Sequence, residues 1–216
     1  RTKDLREEID MRRQAEEQLK HQVMHDALTS LPNRVYLRDR LERAIARVQR
    51  EPERRFALLY LDVDRFKVIN DNLGHLVGDA VLQEVSRRLA GCMRTPDVVA
   101  RLSGDEFAVL LEDVPIPETA CQVAQRIIKA LAAPLDLGDR TLDVSASVGI
   151  AVGDARYTTP DAILRDADAA LYGAKAAGRG CFHLFDELMH RDAMNELEVE
   201  AALRAGLARG EFEPYF

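Results

Sequence analysis

The chain has 216 residues, 47% of them hydrophobic and 31% charged, with a formal net charge of −7. That length holds one domain of roughly 100 to 200 residues plus extensions. No apolar stretch approaches the ~20 residues that cross a bilayer, and the acidic balance argues against a duplex nucleic acid partner, whose phosphates are neutralised by Lys and Arg.

Residues 1–24 are charged and helix-favouring, with Leu5, Ile9, Leu19 and Val23 at heptad-compatible spacings and polar Arg12 and Glu16 interrupting the seam. This reads either as a short coiled-coil linker or as a lone solvated helix. The main domain is placed at 25–187. It opens on a turn-rich joint, His25 to Arg34, whose Pro32 suits the first turn of a helix reaching about Arg50. Phe56 to Val63 is a nearly continuous apolar run, as expected of a strand covered on both faces. Two helices follow, Phe66 to Asn72 and His75 to Met93, parted at Gly74.

Apolar runs at 98–100 and 108–111 flank Arg101-Leu-Ser-Gly-Asp-Glu-Phe107 and predict a hairpin. Gly104 and Asp105 are its central residues, glycine giving the freedom that a type II′ turn needs at its first position. A helix from Pro117 to Ala133 comes next. Leu142 to Val152 alternates as a strand with one buried face, and a helix from Pro160 to Ala177 ends at Gly178. Phe182 to Phe185 adds a short strand. The fold class is α+β, an α/β sandwich in which helices flank a single mixed sheet. The three cysteines, Cys92, Cys121 and Cys181, lack paired metal-ligand spacing and read as reduced cytosolic thiols. The location is expected to be cytoplasmic, within a longer protein that is open to membrane anchorage upstream.

The chemistry-bearing residues cluster at two places. Asp62 and Asp64 end the first strand two apart, hence on one face, and Asp105 and Glu106 sit at the hairpin tip. Oxygen ligands without nearby His or Cys favour Mg²⁺ or Mn²⁺. Either acid pair taken separately is equally what a solvated cap or ion-pair partner looks like; their joint occurrence favours the metal. Lys67 follows the strand, and Lys175 and Arg179 lie four apart near a helix end, where they meet either a triphosphate or the helix dipole. Asn70 and Asp79 combine an amide and a carboxylate suited to a guanine edge, or serve as surface residues and local caps.

Six ordered blocks over about 155 residues carry a resemblance: Asp26-Ala-Leu-Thr-Ser-Leu-Pro-Asn-Arg34, Leu61-Asp-Val-Asp-Arg-Phe-Lys-Val-Ile-Asn-Asp71, Gly74-His-Leu-Val-Gly-Asp79, Arg101 to Phe107, Ser147-Val-Gly-Ile150, and Asp168-Ala-Ala-Leu-Tyr-Gly-Ala-Lys-Ala-Ala-Gly-Arg179. Together they resemble the GGDEF family of bacterial diguanylate cyclases. The resemblance implies a polymerase-palm, nucleotide-cyclase-like sheet and the condensation of two GTP into cyclic di-GMP with release of two pyrophosphates. It also implies a homodimer in which each domain brings one GTP.

Residue by residue, Asp62, Asp105 and the backbone carbonyl of Val63 resemble metal ligands. Glu106 resembles the acid that serves a second metal or activates the attacking 3′-hydroxyl. Asn70 and Asp79 match the guanine-recognising pair. Lys67, Lys175 and Arg179 match phosphate contacts, and Phe66, Ser103 and Gly104 complete the implied substrate site. Arg94-Thr-Pro-Asp97 matches the inhibitory product site, with Arg126 as an added basic residue. The departure is Ser103, where the family has glycine: its side chain crowds the triphosphate or donates to a phosphate oxygen. That leaves a second reading open, a weak or inactive GTP-binding module that regulates a downstream phosphodiesterase. Residues 188–216 resemble a linker and the opening of an EAL phosphodiesterase domain, normally joined directly behind a GGDEF domain.

Overall fold

The computed structural model describes residues 23–138 and 141–186. The expected helix of residues 1–24, Val23 and Met24 apart, and the expected start of an EAL domain lie outside the described residues. In chain order the elements are α1 (Arg34–Arg50), β1 (Phe56–Val63), α2 (Phe66–Leu73), α3 (His75–Gly91), β2 (Val98–Ser103), β3 (Glu106–Leu111), α4 (Pro117–Leu131), β4 (Leu135–Asp136), β5 (Thr141–Leu142), β6 (Ala146–Gly153), α5 (Pro160–Ala176) and β7 (Phe182–Leu184).

Strand β1 is central because almost all of it is apolar, so both faces must be covered. It pairs antiparallel with β3 on one side and with β6 on the other. Strand β2 extends the sheet antiparallel to β3, and β7 runs parallel to β6, giving the order β2-β3-β1-β6-β7. Alternate β1 residues feed two cores, as the two-residue strand period requires. Ala57, Leu59, Leu61 and Val63 pack beneath α2, α3 and α4. Phe56, Leu58 and Tyr60 pack beneath α1 and α5. The protein is therefore an α+β fold, a mixed five-stranded sheet between two helical layers.

Three local expectations are corrected. Helix α1 starts at Arg34, not at Pro32, because Asn33 is its cap: the Asn33 side chain accepts from the amides of Val35 and Tyr36. The strand expected over Leu142 to Val152 is divided into β5, whose Leu142 pairs with Leu135 of β4, and β6, whose Ala146 pairs with Val63 of β1. Strand β6 is buried on both faces rather than one. Its small residues admit α5: a Cβ on Gly149 would stand 2.0 Å from the Ala167 carbonyl oxygen. Helix α5 thus rests directly on sheet backbone.

Candidate active site

One row of side chains crosses four strands at the end of the sheet. Ser147 of β6 faces Asp62 of β1, Asp62 faces Glu106 of β3, and Glu106 faces Ser103 of β2. Directly opposed residues share a face, and like charges directly opposite repel, so the Asp62–Glu106 pair needs a neighbouring cation. The last step of the row exists because the register of β2 shifts between Arg101 and Ser103. That bulge around Leu102 brings Ser103 opposite Glu106 across the two-residue tip. Gly104 carries φ +47°, whereas Asp105 is not among the positive-φ residues, in keeping with glycine at the first turn position. Ser103 also avoids positive φ, so a side chain there strains no backbone. Its hydroxyl donates to Glu106 Oε2 at 2.7 Å.

The tip is fixed from two sides. The Val63 amide donates to the Asp105 carbonyl (3.2 Å), tying the tip to the end of β1. Arg101 donates to the Gly104 carbonyl from Nε (3.0 Å) and Nη2 (2.8 Å), and from Nη1 to Asp26 Oδ1 (2.9 Å). Asp26 also accepts from the Thr29 amide and hydroxyl. The joint preceding α1 and the hairpin tip are therefore one hydrogen-bonded unit.

The cation at the row comes from α5. Lys175 Nζ lies 2.8 Å from Asp62 Oδ2. Burial pushes the Asp62 carboxyl above its ordinary range, Lys175 pulls it down, and Asp105 and Asp64 push it up again. Asp168 lies two helical turns before Lys175 on α5. Burial of its carboxyl, then the charge of Glu106, raises its pKa, against the pull of Lys175. The Tyr60 phenol is driven upward, by burial first and by the charge of Glu106 second. Asp62 and Asp168 thus share one ammonium, with Asp105, Asp64 and Glu106 adding negative charge nearby. Among the described residues no three His, Cys, Asp or Glu side chains are closed tightly enough to hold an ion as they stand, and Lys175 contacts Asp62. The donor set itself, hard carboxylate oxygens with a competing ammonium, fits Mg²⁺ or Mn²⁺.

Asp64 lies on the face of Asp62, as the two-apart spacing predicted, but its oxygens are already taken: it accepts from Ser145 Oγ (2.7 Å), from Ser147 Oγ (2.7 Å), the residue opposite Asp62, and from the Gly180 amide (3.1 Å). It braces the loop after α5 against the start of β6.

Asn70 of α2 has a buried Oδ1 with no hydrogen-bond partner. Gly78 makes room for it: a Cβ there would meet that oxygen at 1.9 Å. Asp79 follows Gly78 on α3 and is exposed, Phe66 is buried at the start of α2, and Lys67 beside it is exposed. The α2 N-terminus has no side-chain cap, and its N-cap residue Arg65 sits at φ +56°. Arg179 does not share a helical face with Lys175, as the four-residue spacing predicted. α5 ends at Ala176, and Arg179 lies beyond it at φ +68°. There it borders a cavity of about 400 Å³ together with Arg65 and Asp64.

The Arg94–Asp97 loop lies at the far end of β2. Arg94 Nε is 3.6 Å from Asp97 Oδ2, and the Asp97 side chain is only 2% exposed while that of Arg94 is 62% exposed. Asp97 also accepts from the Glu112 amide (3.3 Å). Both residues border a groove of about 510 Å³ with Tyr36, Arg40 and Met93. Arg126 is engaged with the Cys92 carbonyl (2.7 Å).

Sequence reasoning missed Tyr60, Asp168, the Asp26–Arg101 clamp and the brace at Asp64. Asp26, Arg101 and Asp168 all fall inside the motif blocks, which was the available signal. Tyr60 is the polar member of an apolar strand run.

Comparison with known proteins agrees with this architecture. A family model described as "Diguanylate cyclase, GGDEF domain" matches residues 23–181. The diguanylate cyclase TpbB of Pseudomonas aeruginosa is 44% identical over 185 residues, covering 85% of this chain and 42% of that protein. The bifunctional diguanylate cyclase/cyclic di-GMP phosphodiesterase MucR of the same organism is 40% identical over 187 residues, covering 87% of this chain and 27% of that protein. The chain thus spans less than half the length of either curated relative. The solved GGDEF domain of TpbB matches with a TM-score of 0.75 at 44% identity, over 79% of this chain and 99% of that one. The coiled coil and GGDEF domain of DgcB from Caulobacter crescentus, in complex with c-di-GMP, matches with a TM-score of 0.78 at 28% identity, over 85% of this chain and 97% of that one. With an acidic hairpin tip set against an acidic strand end, and a family model that matches most of its length, the chain belongs to the GGDEF family of diguanylate cyclase domains.

Proposed function

We propose that this domain condenses two GTP molecules into cyclic di-GMP, with Mg²⁺ or Mn²⁺ as the working cation. The observation that carries the reading is the opposed Asp62–Glu106 pair, flanked by Asp105 and compensated by a displaceable lysine. Asp62, Asp105 and the Val63 carbonyl would hold the cation, with Glu106 serving a second ion or the attacking hydroxyl. A bound divalent ion supplies charge stabilisation on the α-phosphate and on the leaving pyrophosphate.

The protein's own part is positioning. Asn70 and Asp79 accept the donors of the guanine edge, and the unpartnered Asn70 oxygen supports this assignment. The uncapped start of α2, with Lys67 and Arg179, faces the phosphates. Once Lys175 leaves Asp62 it becomes a phosphate contact. In each half-reaction a 3′-oxygen forms a bond to the α-phosphorus of the other GTP, the bond to the β-phosphate oxygen breaks, and the hydroxyl proton passes to Glu106. One domain presents one GTP, so turnover requires a homodimer, and the helical arm expected upstream raises the local concentration of the partner domain. Product returning to Arg94 and Asp97 inhibits the enzyme. We also propose that the parent protein carries an EAL domain after residue 216, the relative MucR being named as a bifunctional diguanylate cyclase/cyclic di-GMP phosphodiesterase; a following sequence without a Glu-x-Leu pattern overturns that part.

The test is to incubate the purified chain with GTP and Mg²⁺ and to quantify products. One cyclic di-GMP per two pyrophosphates is expected, lost in Asp105→Asn. Tight GTP binding without product, even in a forced dimer, rejects catalysis in favour of a regulatory nucleotide-binding module.

A further inference from the structure

We propose that Ser103 is a positioning residue for Glu106, and that its hydroxyl sets how tightly the site holds its divalent cation. The inference rests on the cation-dependent reading above and adds a residue to it. The family motif places glycine here, so the hydroxyl is a feature of this chain rather than of the motif.

Three observations converge. The register shift in β2 places Ser103 directly opposite Glu106, and Ser103 Oγ donates to Oε2 at 2.7 Å. The serine occupies strand backbone outside the positive-φ region, so it reaches this position without strain. Asp62 of β1 faces the same Glu106 from its other side, so the carboxylate stands between two strand neighbours. A glutamate on a hairpin tip has three side-chain torsions to fix before it can serve a metal or a hydroxyl. The Ser103 hydroxyl on β2 holds this one against the strand. A carboxylate offers about four lone-pair positions, and one donor leaves the others for a cation or a proton. The hydroxyl therefore orients Glu106 without using it up. It is also too committed to Glu106 to serve as the phosphate donor that the sequence admitted. Outer hydrogen bonds of this kind to metal-binding carboxylates alter affinity by about 10- to 100-fold when removed.

The test measures Mn²⁺ binding by electron paramagnetic resonance, in the presence of a non-hydrolysable GTP analogue, for the parent chain, Ser103→Ala, Ser103→Gly and Ser103→Thr. Ser103→Ala and Ser103→Gly are expected to bind Mn²⁺ about tenfold more weakly, and Ser103→Thr, which keeps the hydroxyl, to match the parent. In turnover, the same loss appears as a higher Mg²⁺ requirement, which Ser103→Thr restores to that of the parent. Equal Mn²⁺ affinity in the parent and Ser103→Ala overturns the inference while leaving the cation reading intact. Weakened binding that Ser103→Thr fails to rescue also overturns it, because the effect is then one of packing. A parent chain that binds no Mn²⁺ overturns the cation reading itself.

Discussion

Lys175 Nζ and Asp62 Oδ2 are 2.8 Å apart, and the pair joins the last turn of α5 to the end of β1. Burial and two neighbouring acids work against the charged form of Asp62, and Lys175 is the group that opposes them. Lys175→Ala leaves the acids uncompensated. Lys175 is 31% exposed, so the expected cost is about 2 kcal/mol, less than for a fully buried pair, or a fall of roughly 4–8 °C in melting temperature. The loss should show in EDTA and shrink on adding Mg²⁺, which supplies the missing positive charge. Calorimetry with and without Mg²⁺ checks this; equal losses in both would deny that ion and lysine share a place.

Asp26 gives the fold a defined acid limb. Burial, the largest influence, raises its pKa, but the bonds from Thr29 and Arg101 outweigh it and hold the carboxyl below its ordinary 3.8. A depressed folded-state pKa means that the stabilisation is present above the unfolded pKa and is lost as pH falls through the folded one. Asp26→Asn should therefore cost about 1–2 kcal/mol at neutral pH, with the two proteins converging below about pH 4. Urea unfolding at pH 7 and pH 3 measures the difference, and a constant offset at both would refute the assignment.

Gly78 and Asn70 share a space that admits only one side chain. A Cβ at Gly78 lies 1.9 Å from Asn70 Oδ1 and 3.2 Å from Phe66 Cζ, so Gly78→Ala must expel the amide. Overpacking of this size costs about 1–3 kcal/mol, and losing the acceptor should weaken binding of a non-hydrolysable GTP analogue about tenfold. Titration calorimetry on the folded variant is the check. Unchanged affinity would remove Asn70 from guanine recognition.

Gly149 is constrained by backbone rather than by a side chain. A Cβ there meets the Ala167 carbonyl at 2.0 Å and the Leu171 amide at 2.2 Å, and neither can rotate away. Gly149→Ala should destabilise by about 3 kcal/mol or more and displace α5 together with Lys175. A variant with parental stability would show that α5 does not sit where it is described.

Much of the fold was legible because its signals are local. The apolar run of β1 predicted coverage on both faces, and Gly104-Asp105 predicted the turn. What escaped was decided across the sheet. Leu142, Val144 and Ala146 continue one alternation in sequence, yet Leu142 pairs with β4 and Ala146 with β1, and the strand breaks between them. Ser147, Gly149 and Ala151 carry little hydropathy signal, but their small size is what lets α5 bury the second face. Asp64 lies beside Asp62 as the spacing predicted, but only the fold shows that Ser145, Ser147 and the Gly180 amide take its oxygens. Asp26 and Arg101 are 75 positions apart, and only the folded chain shows that they clamp the hairpin carrying Asp105 and Glu106.

The most direct measurement is anomalous scattering from crystals grown with Mn²⁺ and a non-hydrolysable GTP analogue. The expected result is a manganese peak within about 2.5 Å of carboxylate oxygens of Asp62 and Asp105, with Lys175 turned to the phosphates. A nucleotide-bound structure that keeps Lys175 on Asp62, with no peak between β1 and the hairpin tip, would contradict the assignment.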